Sequence, residues 1–248
     1  MDARGGEALG RLMVLTDVTE LKAYQSQAEL RRRLESLGEV AAGIAHELRN
    51  QLGVIAGYMQ LIDKRADPSI KTQVQAALRE VSLMDSIIAD FLSFARPRKL
   101  DPLELNLGAL VKECAAVAVG TRTDIKLTLD LPPIGPRIRA DETMLRQALR
   151  NLIQNAIEAL GPEPREVSIT VRESEGTVTI SIADTGCGMP PDVSEKIFLP
   201  FFTTKEKGTG LGLAIAHGAV TMHRGTITAS PHEPSGTVFT ITLPSGGS

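Results

Sequence analysis

Apolar residues recur at helical spacing through the first hundred positions and at strand spacing through most of the rest. Gly10–Thr16 is a short β-type apolar run, and Asp17-V-T-Glu20 follows with the Asp/Glu spacing of a capping box. From Asp17 to Ile62 only interior glycines interrupt a long helix. Its apolar stripe falls at Leu30, Leu34, Leu37, Ala41, Ile44 and Leu48, with spacings alternating between four and three, and broadens through Leu52, Ile55, Met59 and Ile62. Asp67-Pro68-Ser69 reads as a turn and a new cap. A second heptad then runs through Ile70, Val74, Ala77, Val81, Met84, Ile88, Phe91 and Ala95. Two heptad helices joined by a short turn form an antiparallel hairpin. One hairpin cannot bury both seams, so the pattern predicts a dimer closing into a four-helix bundle.

Pro97 ends the second helix, and 97–103 reads as a linker. Beyond it the period changes repeatedly. Leu107–Val119 and about Glu142–Leu160 are helix-like, as is Leu211–His223. Ile125–Leu131, Val167–Val171, Val178–Ile182, Gly225–Ala229 and Thr237–Leu243 are strand-like, with a turn near Glu175-Gly176. The expected fold class is α+β: a helical hairpin followed by an α/β sandwich.

Composition narrows the function. A net charge of −3 and 3% aromatic residues argue against a basic, base-stacking surface for nucleic acid. Cys114 and Cys187 form neither a disulfide framework nor a metal set, which fits a reducing, cytoplasmic compartment. No apolar run reaches the roughly 20 residues of a bilayer span.

The candidate chemistry lies in three segments. Asn151 and Asn155 are four apart and share one helix face, so both amides can address one ligand. Asp184-T-G-C-G-Met189 puts a carboxylate at a strand end beside Gly186 and Gly188, where it can accept a hydrogen bond from an exocyclic amine while the backbone approaches a base closely. Gly208, Thr209, Gly210, Leu211 and Gly212 open a helix, so their N–H groups can face phosphates. Taken in order, these boxes resemble the Bergerat-type ATP fold of histidine kinases, gyrases, Hsp90-like chaperones and mismatch-repair proteins, over about Glu104 to the C-terminus. The resemblance implies ATP and Mg²⁺ as cofactors, Asn155 on the metal, Asn151 near the phosphates and Asp184 on adenine N6. It also implies a mobile lid over Phe198–Lys205, with Lys205 a phosphate contact, and makes Cys187 a small filler.

ATP-hydrolysing members of that superfamily carry a Glu one turn before the metal-binding asparagine. Asn151 stands there instead, and an amide cannot take a proton at neutral pH. A pocket that holds ATP without hydrolysing it needs an outside nucleophile. His46 is the candidate. It lies about 200° around the helix from core residue Ile44, with Asn50 one turn on. Gly43, Gly53 and Gly57 border it, at a cost of about 1 kcal/mol each relative to Ala. A bare face would admit another domain to the imidazole.

Gly38–Ile62 looks like the phosphoacceptor box of a sensor histidine kinase of the HisKA type, and Met13–Leu21 resembles the tail of a PAS sensor running into a signalling helix. This implies a PAS-like remnant at 1–19, a signalling coiled coil at 20–37, a dimerisation and phosphotransfer domain at 38–96, the linker, and a catalytic domain at 104–248. It further implies attack by His46 on the γ-phosphate, proton acceptance by Glu47, and transfer to an Asp of a response-regulator receiver domain. Asn50 would orient water when that partner is dephosphorylated. Two positions depart from the family pattern. Gln51 replaces the usual Pro, so the helix should run straighter, and Glu158 replaces a Lys common three residues after the metal-binding Asn. Two other functions compete with the kinase: an ATP-gated scaffold without transfer, and an ATPase of the chaperone or mismatch-repair type. His217, His223 and His232 carry no such pattern. His223 reads as a helix-terminal residue and His232 as part of a Pro-bounded turn.

Overall fold

The computed structural model describes residues 43–95, 99–161, 165–205 and 208–245. The first described helix, α1, runs unbroken over 43–63, through Gln51, as expected without a proline. The predicted strand at Gly10–Thr16, the capping box at Asp17 and the segments 1–19 and 20–37 lie outside the described residues. Asp67 starts the second helix, α2 (Pro68–Ala95): its carboxylate accepts the Ser69 N–H at 3.0 Å. Arg49 and Asp85 bridge the hairpin at 2.9 Å, an exposed pair that stabilises by about 0–1 kcal/mol. The seam residues Ile44 (56%) and Leu48 (44%) are solvent-exposed in the single chain, as are Ile55, Ile62, Ile70 and Met84.

The second half begins with strand β1 (Leu103–Asn106), one residue ahead of the expected boundary at 104. Asn106 then caps α3 (Leu107–Val119), its side chain accepting the Ala109 N–H at 2.9 Å. Strands β2 (Lys126–Asp130) and β3 (Arg137–Ala140) follow. Next come α4 (Glu142–Ala159), β4 (Glu166–Ser174), β5 (Thr177–Asp184) and the short α5 (Pro191–Ser194). Helix α6 (Gly212–Met222) and strands β6 (Thr226–Pro231) and β7 (Thr237–Pro244) complete the chain. The main sheet has the order β2-β4-β5-β7-β6, with β2 parallel to β4 and the rest antiparallel. β1 and β3 form a separate antiparallel pair. The parallel pair and the β1–β3 ribbon were not foreseen.

Alternation decides which sheet face is covered. Ile180↔Ile241 and Ile182↔Phe239 point inward, while Thr179↔Thr242 and Ser181↔Thr240 point outward. The inward row meets Leu145, Leu149, Leu152, Ile153 and Ala156 of α4, all nearly inaccessible. Burying each Leu or Ile stabilises by about 2 kcal/mol, which fixes α4 and its polar face against the sheet.

One residue joins several elements. The Asp141 carboxylate caps α4 through Met144 N–H (3.0 Å) and also accepts the N–H of Asp101 (3.1 Å) from the segment leading out of the hairpin. The Asp141 N–H donates to Nε2 of His223, at the end of α6, at 2.9 Å. His223 is therefore more than a dipole residue: Nδ1 donates to Ala219 O (2.7 Å) while Nε2 accepts from Asp141, so the ring ties the end of α6 to the start of α4. Among the described residues no helix is long and apolar enough to cross a membrane.

Candidate active site

A cavity of about 760 Å³ opens between α4, the loop after β5, the 197–213 segment and one side of α2. Asn151, Asn155, Asp184, Gly188, Gly208, Thr209, Gly210, Gly212 and Lys205 all line it. Arg150, Gln154, Thr203, Thr204 and Thr237 add to its polar wall, while Leu211, expected among the contacts, is buried and does not line it. Gly186 stands just behind that wall, its N–H donating to Asp184 Oδ1 at 2.8 Å. Thr237 N–H adds a second bond to the same oxygen at 3.3 Å. The other oxygen, Oδ2, is buried and has no hydrogen-bond partner among the described residues, although Asp184 is only 1% exposed. A buried carboxylate oxygen without a donor, in a residue that lines a cavity, is costly unless a ligand donor completes it. Burial raises the Asp184 pKa above the ordinary carboxylate value; the N–H groups of Gly186 and Thr237, then the charges of His232 and Lys205, oppose that rise.

Asn151 and Asn155 divide their work. Asn151 Nδ2 donates to Gly212 O at 3.0 Å, tying α4 to the first residue of α6. Gly210 makes the turn just before it, at φ 66°, where a Cβ would collide with the backbone of Phe201 and Phe202. The glycine loop is thus pressed onto the phenylalanine segment on one side and pinned by Asn151 on the other. Asn155 Oδ1 accepts a bond from the Lys205 ammonium at 2.6 Å, and the same ammonium pairs with Glu158 Oε2 at 2.6 Å. Glu158 was read only as a departure from the family pattern; its partner is Lys205, 47 positions away.

The hairpin forms a wall of the same cavity. Leu83, Ser86, Ile87 and Asp90 of α2 line it. Ser93 Oγ donates to Gln147 Oε1 at 2.8 Å, and the rings of Phe94 and Phe201 meet edge-on with centroids 6.1 Å apart. Burial pushes the Asp90 carboxyl up; Arg150, 3.8 Å away, and Gln147 pull it back.

His46 is exposed on α1, and Asn50 Nδ2 lies 3.3 Å from its Nδ1. An amide nitrogen only donates, so this contact makes Nδ1 the acceptor. A Cβ placed on Gly43, Gly53 or Gly57 meets nothing within 4 Å, so the face bordering His46 is open as the glycines imply. Continuing the same i, i+4 row, Val54 (58%) and Tyr58 (66%) are exposed apolar residues, joined by Leu61 (58%). Glu47 is also exposed.

Comparison with known proteins gives this arrangement a family. Residues 36–99 match the His Kinase A phospho-acceptor domain, and residues 140–247 match the histidine kinase-, DNA gyrase B- and HSP90-like ATPases. A chain in the crystal structure of histidine kinase ThkA in complex with response regulator protein TrrA is 33% identical. The match covers 93% of this chain and 68% of that one, with a TM-score of 0.63. This chain belongs to the sensor histidine kinases. Full-length ShkA in complex with AMPPNP is 28% identical over 83% of this chain and 45% of that one, with a TM-score of 0.71. The signal transduction histidine-protein kinase AtoS of Escherichia coli (strain K12) is 37% identical over 96% of this chain and 40% of its own length. For sporulation kinase E of Bacillus subtilis (strain 168) the figures are 33%, 94% and 32%. The chain thus spans less than half the length of these two relatives.

Within this histidine kinase chain the structure adds residues that sequence patterns did not single out. Cys187, expected as a small filler in its loop, is exposed and lines the cavity. His232, read as a turn residue, places Nδ1 2.7 Å from the backbone oxygen of Asp184. His217 packs against Phe198 with ring centroids 5.4 Å apart.

Proposed function

We propose that this chain is the phosphotransfer and catalytic portion of a histidine autokinase. It moves the γ-phosphoryl group of ATP to His46 and then to an Asp of a response-regulator receiver domain. The reading rests on one combination: an exposed histidine on an open helix face, in a chain whose nucleotide cavity has the amide Asn151 where a hydrolysing site needs a base. The same amide argues against the ATPase alternative. The domain limits 38–96 and 104–248, with the hairpin dimerising through its exposed seams, belong to this proposal, as does a cytoplasmic location.

Asp184 Oδ2 would accept the adenine amine, and the loop 208–212 would hold phosphates. For Mg²⁺ the fit is good. Asn155 Oδ1 already takes an ammonium, and an amide oxygen suits a hard cation that binds few protein ligands and completes its shell with phosphates and water. Bound there, it would offset charge on the transferring phosphoryl group. Lys205 would exchange Asn155 and Glu158 for the phosphates. Lys205→Ala is then expected to raise the KM for ATP about tenfold, read from autophosphorylation against ATP concentration.

At His46 a ring-nitrogen lone pair forms the N–P bond as the bond to the ADP oxygen breaks, and its electrons leave with ADP. Nε2 is the nitrogen farther from the backbone and the one another domain can reach. With Nδ1 accepting from Asn50, the proton sits on Nε2, so attack through Nε2 requires the ring to switch tautomer. Glu47 would assist by taking the proton from Nδ1. Asn50 would return to orient water when the partner is dephosphorylated.

The test is incubation with γ-labelled ATP and Mg²⁺, then with receiver domains. The expected label on the chain is acid-labile and alkali-stable, and it moves to a receiver. Acid-stable label, or steady phosphate release with an unlabelled chain, overturns the proposal. The row Val54, Tyr58 and Leu61, about two to four turns along α1 from His46, suits the apolar part of a receiver surface. Tyr58→Arg should lower transfer to the receiver by about tenfold or more while self-labelling stays within about twofold, as expected for a central interface aromatic.

A further inference from the structure

The β5–β7 register ends at Ala183↔Val238, so the carbonyl of Asp184 has run past that ladder. The loop between β6 and β7 reaches back to it. His232 Nδ1 lies 2.7 Å from Asp184 O, and a carbonyl only accepts, so Nδ1 carries the hydrogen and donates it. The loop is closed on itself by the His232 N–H donating to Gly236 O at 3.1 Å. Gly236, at φ 120°, packs so closely on the Asp184 carbonyl that any Cβ would overlap it. The next residue, Thr237, sends its N–H to Asp184 Oδ1. One loop therefore grips Asp184 twice, by its peptide from one end and by its carboxylate from the other. The oxygen left ungripped is Oδ2, buried and without a donor among the described residues, in a side chain that lines the cavity. His232 itself is not among the cavity-lining residues.

We infer that His232 is a positioning residue for nucleobase selection: its Nδ1–H fixes the Asp184 peptide so that Oδ2 is aimed at an exocyclic amine. A carboxylate rigid in this way rewards adenine and rejects guanine, which presents a carbonyl acceptor at the corresponding place. A carboxylate free to rotate loses that contrast. The inference rests on the reading of Asp184 as the base contact.

The test is calorimetric titration of the whole chain with ADP and, separately, GDP. His232→Phe and His232→Ala both remove the donor, whereas His232→Asn places an amide N–H where Nδ1 stands. The expected result is a roughly five- to tenfold weaker ADP affinity and a smaller ADP:GDP preference in the Phe and Ala variants, the size of one lost positioning hydrogen bond. His232→Asn should stay within about twofold of the parent on both measures. ADP binding and preference unchanged in the Phe and Ala variants overturn the inference. An Asn variant as weak as they are overturns it too, since loop shape and not the donor would then matter. Should the Phe and Ala variants fail to fold, His232→Leu, close to Asn in shape but without the donor, takes their place: ADP binding and preference unchanged there overturn the inference. Asp184→Asn separates the two levels. If it leaves the ADP:GDP preference intact, the reading of Asp184 fails; if it abolishes the preference while His232→Phe does not, only the role of His232 fails.

Discussion

Replacing His46 by glutamine is expected to lower incorporation of the γ-phosphoryl group into the chain by on the order of 10⁴-fold or more, the scale of loss when a covalent nucleophile is removed. Glutamine keeps a polar side chain on the open face but has no nitrogen lone pair able to attack phosphorus, since its amide nitrogen is conjugated. The nucleotide cavity should not register the change. His46 does not line it, and the α2 residues that do, Leu83, Ser86, Ile87 and Asp90, lie on the other helix of the hairpin. ADP affinity measured by titration should therefore match the parent while labelling disappears. A His46→Gln chain that still labels with an acid-lability profile like the parent would move the acceptor to another histidine. Glu47→Gln should sit between the two, with a loss of about 10²–10⁴-fold, because it removes proton transfer and leaves the nucleophile.

Asp184→Asn should weaken ADP binding by about 10- to 100-fold, the cost of removing a hydrogen bond to a charged acceptor inside a cavity. The amide can still satisfy Gly186 and Thr237 through its oxygen, but then turns a donor toward the donor of the base. Acid should reproduce this change in the unaltered chain. Desolvation holds the Asp184 pKa above that of an ordinary carboxylate, against the opposing N–H groups of Gly186 and Thr237 and the charges of His232 and Lys205. As pH falls through that raised value, the proton goes to Oδ2, the oxygen without an N–H partner, and the acceptor becomes a donor. ADP affinity should thus decline on acidification and begin to do so at a higher pH than an exposed aspartate would dictate. GDP, weakly bound throughout, should decline less. Titrations of both nucleotides across pH read this, with Asp184→Asn as the reference that carries the titration of the nucleotide and of every other group.

Much of the fold was legible because its longer elements carry strict periods. Alternation of Val and Ile with Thr and Ser over 166–184 and 237–244 leaves no other way to sort a sheet face. Leu107–Val119 lies between an Asn cap and Gly120, and the helix falls between them as expected. The β1–β3 ribbon escaped because each strand has four residues. Arg137-I-R-Ala140 does alternate, but too briefly to stand apart from a loop until Leu103↔Ala140 pairs it. The parallel pairing of β2 with β4 escaped because only the β2–α4–β4 path through space, with no turn residue, specifies it. The site divides in the same way. Asn151, Asn155 and Asp184 announce themselves by spacing and by neighbouring glycines. Lys205 with Glu158, and His232 with Asp184, meet only across 47 and 48 residues of chain, and no local pattern encodes such meetings. The hairpin seams Ile44 and Leu48 were read correctly as apolar rows, yet a single chain leaves them exposed.

Asp141 has a mechanical consequence. Its carboxylate and its N–H hold Asp101, the first turn of α4 and the last turn of α6 at a single point. Asp101 thus sits on the same carboxylate that starts α4. That helix carries Asn151 and Asn155, and the Asp141 N–H holds the end of the helix that the glycine loop opens. A shift of Asp101 would therefore reach the start of one helix of the cleft and the end of the other at the same moment, turning the two together instead of prising them apart.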